Sequence, residues 1–365
     1  MPKTVAARAV ATALGATAPV AACDETAEPA GLHIRDNTPV RTNGSGRIYA
    51  ALDLGTNNCR LLVARPVRGG FQVIDAFSRI VRLGEGLATT SKLSDAAQRR
   101  AIAALKICAD KVKRRNVHMM RHVATEACRS ATNTQEFVAR VYAETGLALD
   151  VISPQEEARL AMLGCQVLLP RSATHGLVFD IGGGSTELIL VRNRPRGNGE
   201  ILAWTSIPWG VVSLAEAFGD AGPATTGYAE MKATLAPHLQ AFEERGRVSA
   251  RLGEGRLCML GTSGTVTTLA SLHLGLAAYD RRQVDGCWVP TGSLRTLSQD
   301  LSRLTVEERA ALPCIGPERA DLMLAGCAII EAILDFWPVD QVRVADRGIR
   351  EGILRVLMQR DGIAL

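Results

Sequence analysis

No Cys-x-x-Cys pair occurs among the nine cysteines of this 365-residue chain, and none of them joins a Cys/His cluster. Without those spacings neither a disulfide framework nor a zinc site is expected, and an odd thiol count fits a reducing compartment. Cys59, Cys128 and Cys165 lie among apolar or small residues and read as packing thiols. No apolar run approaches the ~18 residues that span a bilayer, so no membrane partner is expected. Charge of one sign is also thinly spread. The net charge is +5, with no dense basic stripe of the kind nucleic-acid binders carry, so a nucleic-acid partner is not expected. The nearest candidate, Lys111, Lys113, Arg114 and Arg115, falls at the end of a predicted helix, where cations complement the dipole.

Residues 1–45 lack a trustworthy helical or strand period. Rich in Ala, Thr and Pro, they are expected to form a disordered tail. Lys3 and Arg8 precede a weakly apolar stretch ending in Val20-Ala21-Ala22-Cys23, a faint likeness to a secretory signal with a lipidated cysteine. Its residues are small or Thr, so its apolar drive is poor, and the chain is expected in the cytoplasm.

From Arg47 the pattern becomes regular. An apolar run into Asp53, a Gly55-Thr56-Asn57 turn and Leu61-Leu62-Val63 read as strand, turn, strand, with a third strand at Phe71 to Phe77. Ser94 caps a predicted helix to about Arg114, whose apolar stripe is Ile102, Leu105, Ala109 and Val112. His118 to Ala124 is a strand, and a helix after Asn133-Thr134 stops at Gly146. Leu149 to Ile152 is another strand. Ser153-Pro154-Gln155-Glu156 then has the marks of a helix start, with a serine cap, proline at the first position and glutamate at the third. That helix is expected to reach about Leu169.

At His175 the opening pattern returns. Gly176 to Asp180 is an apolar strand, Ile181-Gly182-Gly183-Gly184-Ser185-Thr186 a glycine-rich turn, and Leu188 to Val191 the returning strand. Aligned without gaps, Asp53 falls on Asp180, Gly55 on Gly182 and Leu61 on Leu188. Helices and strands continue to alternate: a helix over Tyr228 to Arg245, a strand at Leu257 to Leu260 and a turn Gly261-Thr262-Ser263-Gly264 before a helix. A long helix over Pro317 to Phe336, a strand at Gln341 to Ala345 and a closing helix follow. The class is α/β, built twice, with a cleft between the halves.

Glycine-rich turns of this kind point several backbone N–H groups into one concavity, which suits phosphate oxygens. Asp53 and Asp180 cannot bind an anion directly, but they can hold a hydrated Mg²⁺ that bridges to phosphate. Thr56, Asn57, Ser185 and Thr186 add hydroxyls and an amide at the same rim. Arg129, three residues after Glu126, is placed to clamp a phosphate oxygen.

IYAALDLGTNNCRLLVA and LVFDIGGGSTELILV resemble the two phosphate loops of the actin, sugar-kinase and heat-shock chaperone ATPase superfamily. VRLGEGL, VATEACRSATN, ISPQEEARL, SIPWGVVSLAE, GTSGTVTTLA and ADRGIREGIL narrow the likeness to the Ppx/GppA family of exopolyphosphatases and guanosine pentaphosphate phosphohydrolases, from about Arg47 onward. The resemblance implies duplicated actin-like (ribonuclease H-like) domains, 46–131 plus 346–365 and 132–345. It also implies Mg²⁺-assisted removal of a terminal phosphate from polyphosphate or guanosine pentaphosphate, the latter a link to the stringent response. The family's catalytic glutamate in its A-T-E-A segment is here Glu126. Glu156 and Glu157 share the segment where the family often places a second acidic residue, and of these Glu156 is taken as the second catalytic candidate. One aligned position is occupied by Gln155, which leaves the inheritor of that role open.

Arg82 in VRLGEGL is taken as a phosphate ligand, and Gly261, Thr262, Ser263 and Gly264 as a third phosphate- or nucleotide-facing turn. Asp285 stands where relatives frequently carry histidine, a change expected to weaken polyanion binding locally. The chain ends soon after its closing helix, as in short two-domain members, so short substrates or a homodimer-built binding surface are expected. Two other readings keep the fold: an ATP-dependent kinase or chaperone-like ATPase, and a non-catalytic phosphonucleotide sensor. The A-T-E-A and R-L-G-E-G segments speak against the first, and the set Asp53, Glu126 and Asp180 against the second.

Overall fold

The computed structural model describes residues 46–194, 198–253 and 257–363, and the expected tail over 1–45 lies outside them. The first half opens with a meander, β1 (Tyr49–Leu54), β2 (Asn58–Val67) and β3 (Gly70–Ile80), each antiparallel to the last. Helix α1 (Asp95–Arg114) starts at Ser94, whose hydroxyl accepts the Ala97 amide, and buries Ala101, Ile102, Leu105 and Val112. Its basic end is structural: Lys111 and Arg115 both pair with Asp75 on β3. β4 (Met119–Ala124) then lies parallel to β1. The short α2 (Glu126–Ser130) leads into α3 (Thr134–Thr145), ended by Gly146, and β5 (Asp150–Val151) extends the sheet along β4. The five strands are ordered β3-β2-β1-β4-β5.

The expected domain boundary at 131/132 falls too early. Phe137 and Val141 of α3 are buried in the core of the first sheet, and β5 is one of its strands, so the chain to Val151 packs with the first half.

Helix α4 (Pro154–Cys165) carries the chain across. The second half repeats the meander with β6 (His175–Ile181), β7 (Thr186–Arg192) and β8 (Glu200–Ile207). β9 (Leu257–Thr262) is parallel to β6 as β4 is to β1, and α5 (Gly264–His273) follows it. β10 (Trp288–Pro290), α6 (Met323–Phe336), β11 (Gln341–Ala345) and α7 (Ile349–Arg360) complete the chain. The order is β10-β11-β9-β6-β7-β8, the first sheet's order with β11 in the place of β5 and one strand, β10, added at the edge. The helix expected from Pro317 begins only at Met323, after a 3₁₀ turn at Ala320–Leu322. The one expected to reach Leu169 gives way to 3₁₀ at Gln166–Leu168.

What fixes the halves against each other is the pair α4 and α7. Leu160 and Ala161 of α4 and Ile353 and Leu357 of α7 join one core with Tyr49 and Leu62 of the first sheet and Val178 and Leu260 of the second. The helices meet backbone to backbone. A Cβ on Gly352 would stand 2.0 Å from the Leu160 carbonyl oxygen, and one on Gly164 2.0 Å from that of Gly348. Cys59, Cys128 and Cys165 are buried free thiols, as their neighbours suggested. No helix among the described residues is long and apolar enough to cross a membrane.

Candidate active site

Both Asp-turn hairpins open onto one cavity of about 540 Å³ lined from both halves. Each turn is closed by the same bond, Gly55 N–H to the Asn58 carbonyl and Gly182 N–H to that of Ser185, both 2.8 Å. Asp53, Gly55, Thr56 and Asn57 form one wall, and Asp180, Gly182, Gly183, Gly184 and Ser185 the facing one. The turns nearly touch. A Cβ on Gly183 would lie 3.1 Å from the Asn57 nitrogen, and one on Gly184 2.9 Å from Thr56 Oγ1, so glycine lets the two amide-lined edges close on each other.

Four carboxyl groups converge here, Glu157 and Glu187 buried and Asp53 and Asp180 half-buried. Asp53 is pushed up by burial, opposed by Arg60 and Arg350, and its Oδ1 has no hydrogen-bond partner. Burial and the charge of Glu157 raise Asp180 to about 7. Glu187 accepts hydroxyl bonds from Ser185 and Ser206, both 2.8 Å, and burial with Asp180 nearby lifts it to about 7. Glu157 is pushed well above the usual carboxylate range, by burial first and then by Glu187.

Like charges held this close in a low dielectric favour a cation among them. The unpartnered oxygens here, Asp53 Oδ1, Asn57 Oδ1 and Asn58 Oδ1, are hard donors that fit Mg²⁺. Among the described residues no three acidic, His or Cys groups are gathered into a ready-made cage.

Glu126, at the start of α2, also lines the cavity, and its carboxylate is fully engaged. Oε2 receives Arg129 Nη2 at 2.7 Å and Nε at 3.1 Å, and Oε1 receives the Ser130 hydroxyl at 2.5 Å. The same guanidinium gives Nη1 to Glu157 Oε2 at 2.7 Å and to the Ile152 carbonyl at 3.0 Å. Arg129 therefore stands behind the wall as a bridge between two carboxylates.

Glu156 is not at the cavity. Successive residues on a helix point about 100° apart, so when Glu157 faces the cleft its neighbour faces away. Glu156 pairs with Arg121 and Arg159, each at 2.7 Å, and the Arg159 hydrogen bond is the main cause that pulls it down to about 2. Ser153 does cap the helix, accepting the Glu156 amide at 3.2 Å, but the Glu156 carboxylate goes to those arginines instead of back to the cap.

Arg82 also lies off the wall. Its Nη2 crosses the mouth of the cleft to the Glu318 carbonyl (3.2 Å) and Asp321 (3.0 Å). Thr186 turns away, donating to the Trp209 carbonyl, and Gly261 sits in β9 where a Cβ would meet the Phe179 ring at 2.4 Å. Thr262, Ser263 and Gly264 do line the cavity, and Ser263 caps α5 by accepting the Val266 amide at 3.1 Å.

Arg60, Glu187, Tyr279, Arg281, Arg319, Arg347 and Arg350 also stand on the lining, beyond the site residues expected from the sequence. Two of them carried a signal. Arg60 pairs in register with Asp53, and Glu187 holds the same position opposite Asp180.

A duplicated strand meander with two facing glycine turns, acidic groups between them and a ring of arginines defines an actin-like protein with a phosphate-handling cleft. The chain belongs to the Ppx/GppA phosphatase family, whose model it matches over residues 62–361. It is 32% identical over 319 residues to Exopolyphosphatase 2 of Mycobacterium tuberculosis, covering 83% of this chain and 96% of that one. Among solved structures it resembles a Ppx/GppA family member from Aquifex aeolicus (28% identity, TM-score 0.70, 87% of this chain and 99% of that one). It also resembles an exopolyphosphatase from Cytophaga hutchinsonii (25% identity, TM-score 0.76, 87% and 99%).

Proposed function

We propose that this enzyme is an exopolyphosphatase that removes the terminal phosphate of inorganic polyphosphate by in-line attack of water. The observation that carries the reading is the convergence of both amide-lined turns, four raised carboxyl groups and several arginines on one cavity. Such chemistry needs little beyond positioning and neutralisation of phosphoryl charge, together with an acceptor for the water proton. The turns around Gly55 and Gly183 hold the terminal group. Asp53 and Asp180 would hold Mg²⁺, which when bound neutralises phosphoryl oxygens.

Glu157 suits the proton-acceptor role better than Glu126. Glu157 lines the cavity, and among the described residues only its Oε2 is engaged, by Arg129 Nη1 at 2.7 Å. Glu126 spends both oxygens on Arg129 and Ser130, which makes it the group that orients Arg129. Tyr279, Leu322 and Met323 add apolar surface to the cavity lining, which supports guanosine pentaphosphate as a second substrate.

The test is phosphate release from polyphosphate and from guanosine pentaphosphate with Mg²⁺, then after chelation by EDTA. Release that stops on chelation and returns with Mg²⁺ is expected. A folded protein that releases phosphate from neither substrate would overturn the reading.

A further inference from the structure

Arg347 lies in the Asp346-Arg347-Gly348 turn between β11 and α7 and lines the cavity. Its side chain is one-fifth exposed, and Nε donates to Asp285 Oδ2 at 2.7 Å. None of the hydrogen bonds among the described residues uses its two Nη groups, which leaves them for a ligand. Asp285 is itself nearly buried, and its other oxygen accepts the Asp346 amide at 3.0 Å. One carboxylate thus fixes both the turn and the guanidinium that rises from it.

The constraint is needed because of charge. Arg355 sits close enough to feel the positive charge of Arg347, and Arg281 stands on the same wall. Arg281 has its own carboxylates, Asp346 at 3.1 Å and Glu351 at 2.9 Å. Arg347 has Asp285. The negative charge at 285 is therefore spent on an arginine of the wall, and does not repel an incoming polyanion as a bare carboxylate would.

We propose that Asp285 is a positioning residue that holds the Arg347 guanidinium toward the cavity, where its free Nη groups take a phosphoryl oxygen of the substrate chain. This rests on the polyphosphate reading above. An arginine held by one carboxylate through Nε presents its outer edge as a preorganised fork, which lowers the entropy lost on binding.

The backbone of the turn has anchors besides Asp285. The Arg347 carbonyl accepts the Thr262 hydroxyl at 2.6 Å and the Cys165 thiol at 3.3 Å, and Gly348 N–H reaches Glu351 at 3.0 Å. Asp285→Asn, which keeps an oxygen for the Asp346 amide, should therefore fold and lose the charge and the acceptor that restrain Arg347.

The experiment is a double-mutant cycle with Asp285→Asn, Arg347→Gln and the pair, read as KM and kcat for inorganic tripolyphosphate with Mg²⁺. Calorimetric Kd for tripolyphosphate is measured in parallel. Each single change is expected to raise KM and Kd roughly ten-fold, the size of one lost charge-assisted hydrogen bond, with kcat within about two-fold of wild type. The pair should be no worse than Arg347→Gln alone. An unchanged KM and Kd in Asp285→Asn, or single effects that multiply in the pair, would overturn the inference. A wild type that binds tripolyphosphate without hydrolysing it would instead overturn the exopolyphosphatase reading, and Kd would still decide the role of Asp285.

Discussion

Adjacent glutamates on α4 show how one helical step separates structure from chemistry. Glu156 points at Arg121 and Arg159, while Glu157 points into the cleft and shares Arg129 with Glu126. Because the folded-state pKa of Glu156 is depressed to about 2, its contribution to stability is present above the unfolded value near 4.5 and is lost as pH falls toward 2. Glu156→Gln should therefore destabilise the protein modestly at pH 7, by under about 1 kcal/mol given its exposure, and by less near pH 2. Urea denaturation of both proteins at the two pH values checks this. Phosphatase kcat should be within about three-fold of wild type. A loss of a hundred-fold would return a catalytic role to Glu156.

At this scale the sequence was legible where the local pattern itself makes the site. Asp53, Thr56, Asn57, Asp180 and the glycines of the second turn needed only their hairpins, and all of them line the cavity. Arg319, Arg347 and Arg350 were not legible, because loops and helix starts far apart in the chain bring them to the wall. The choice between Glu156 and Glu157 depended on the rotational phase of α4, which the capping serine set but did not reveal.

Elements make the same point through close packing. The hairpins were readable from alternation and their turns, and the start of α1 from its serine cap. The meeting of α4 with α7 was hidden, since a glycine in an apolar helix carries no sign of what approaches it. Gly352 sits over the Leu160 carbonyl with no room for a methyl group. Gly352→Ala should cost about 3 kcal/mol, because backbone atoms and not a flexible side chain must give way. Chemical denaturation measures it, and a change below about 0.5 kcal/mol would mean the two helices separate easily. The same substitution tests whether packing at this joint sets the cleft, since a displaced α7 carries the Arg347 turn with it.

Across the whole molecule, duplication explains both the fold and the division of labour. The two meanders deliver matching turns, yet at equivalent register positions the first offers Arg60 and the second Glu187. The turns share an aspartate, Asp53 and Asp180, while the positions opposite them differ, a cation in one hairpin and a carboxylate in the other. The central claim is that Glu157 supplies the proton acceptor. The direct test is phosphate release from polyphosphate with Mg²⁺ by wild type, Glu157→Gln and Glu126→Gln, with substrate binding measured alongside. The account predicts that Glu157→Gln loses roughly 10²- to 10⁴-fold in kcat while still binding, and that Glu126→Gln loses about ten-fold. The reverse order, with Glu126→Gln inactive and Glu157→Gln near wild type, would contradict it.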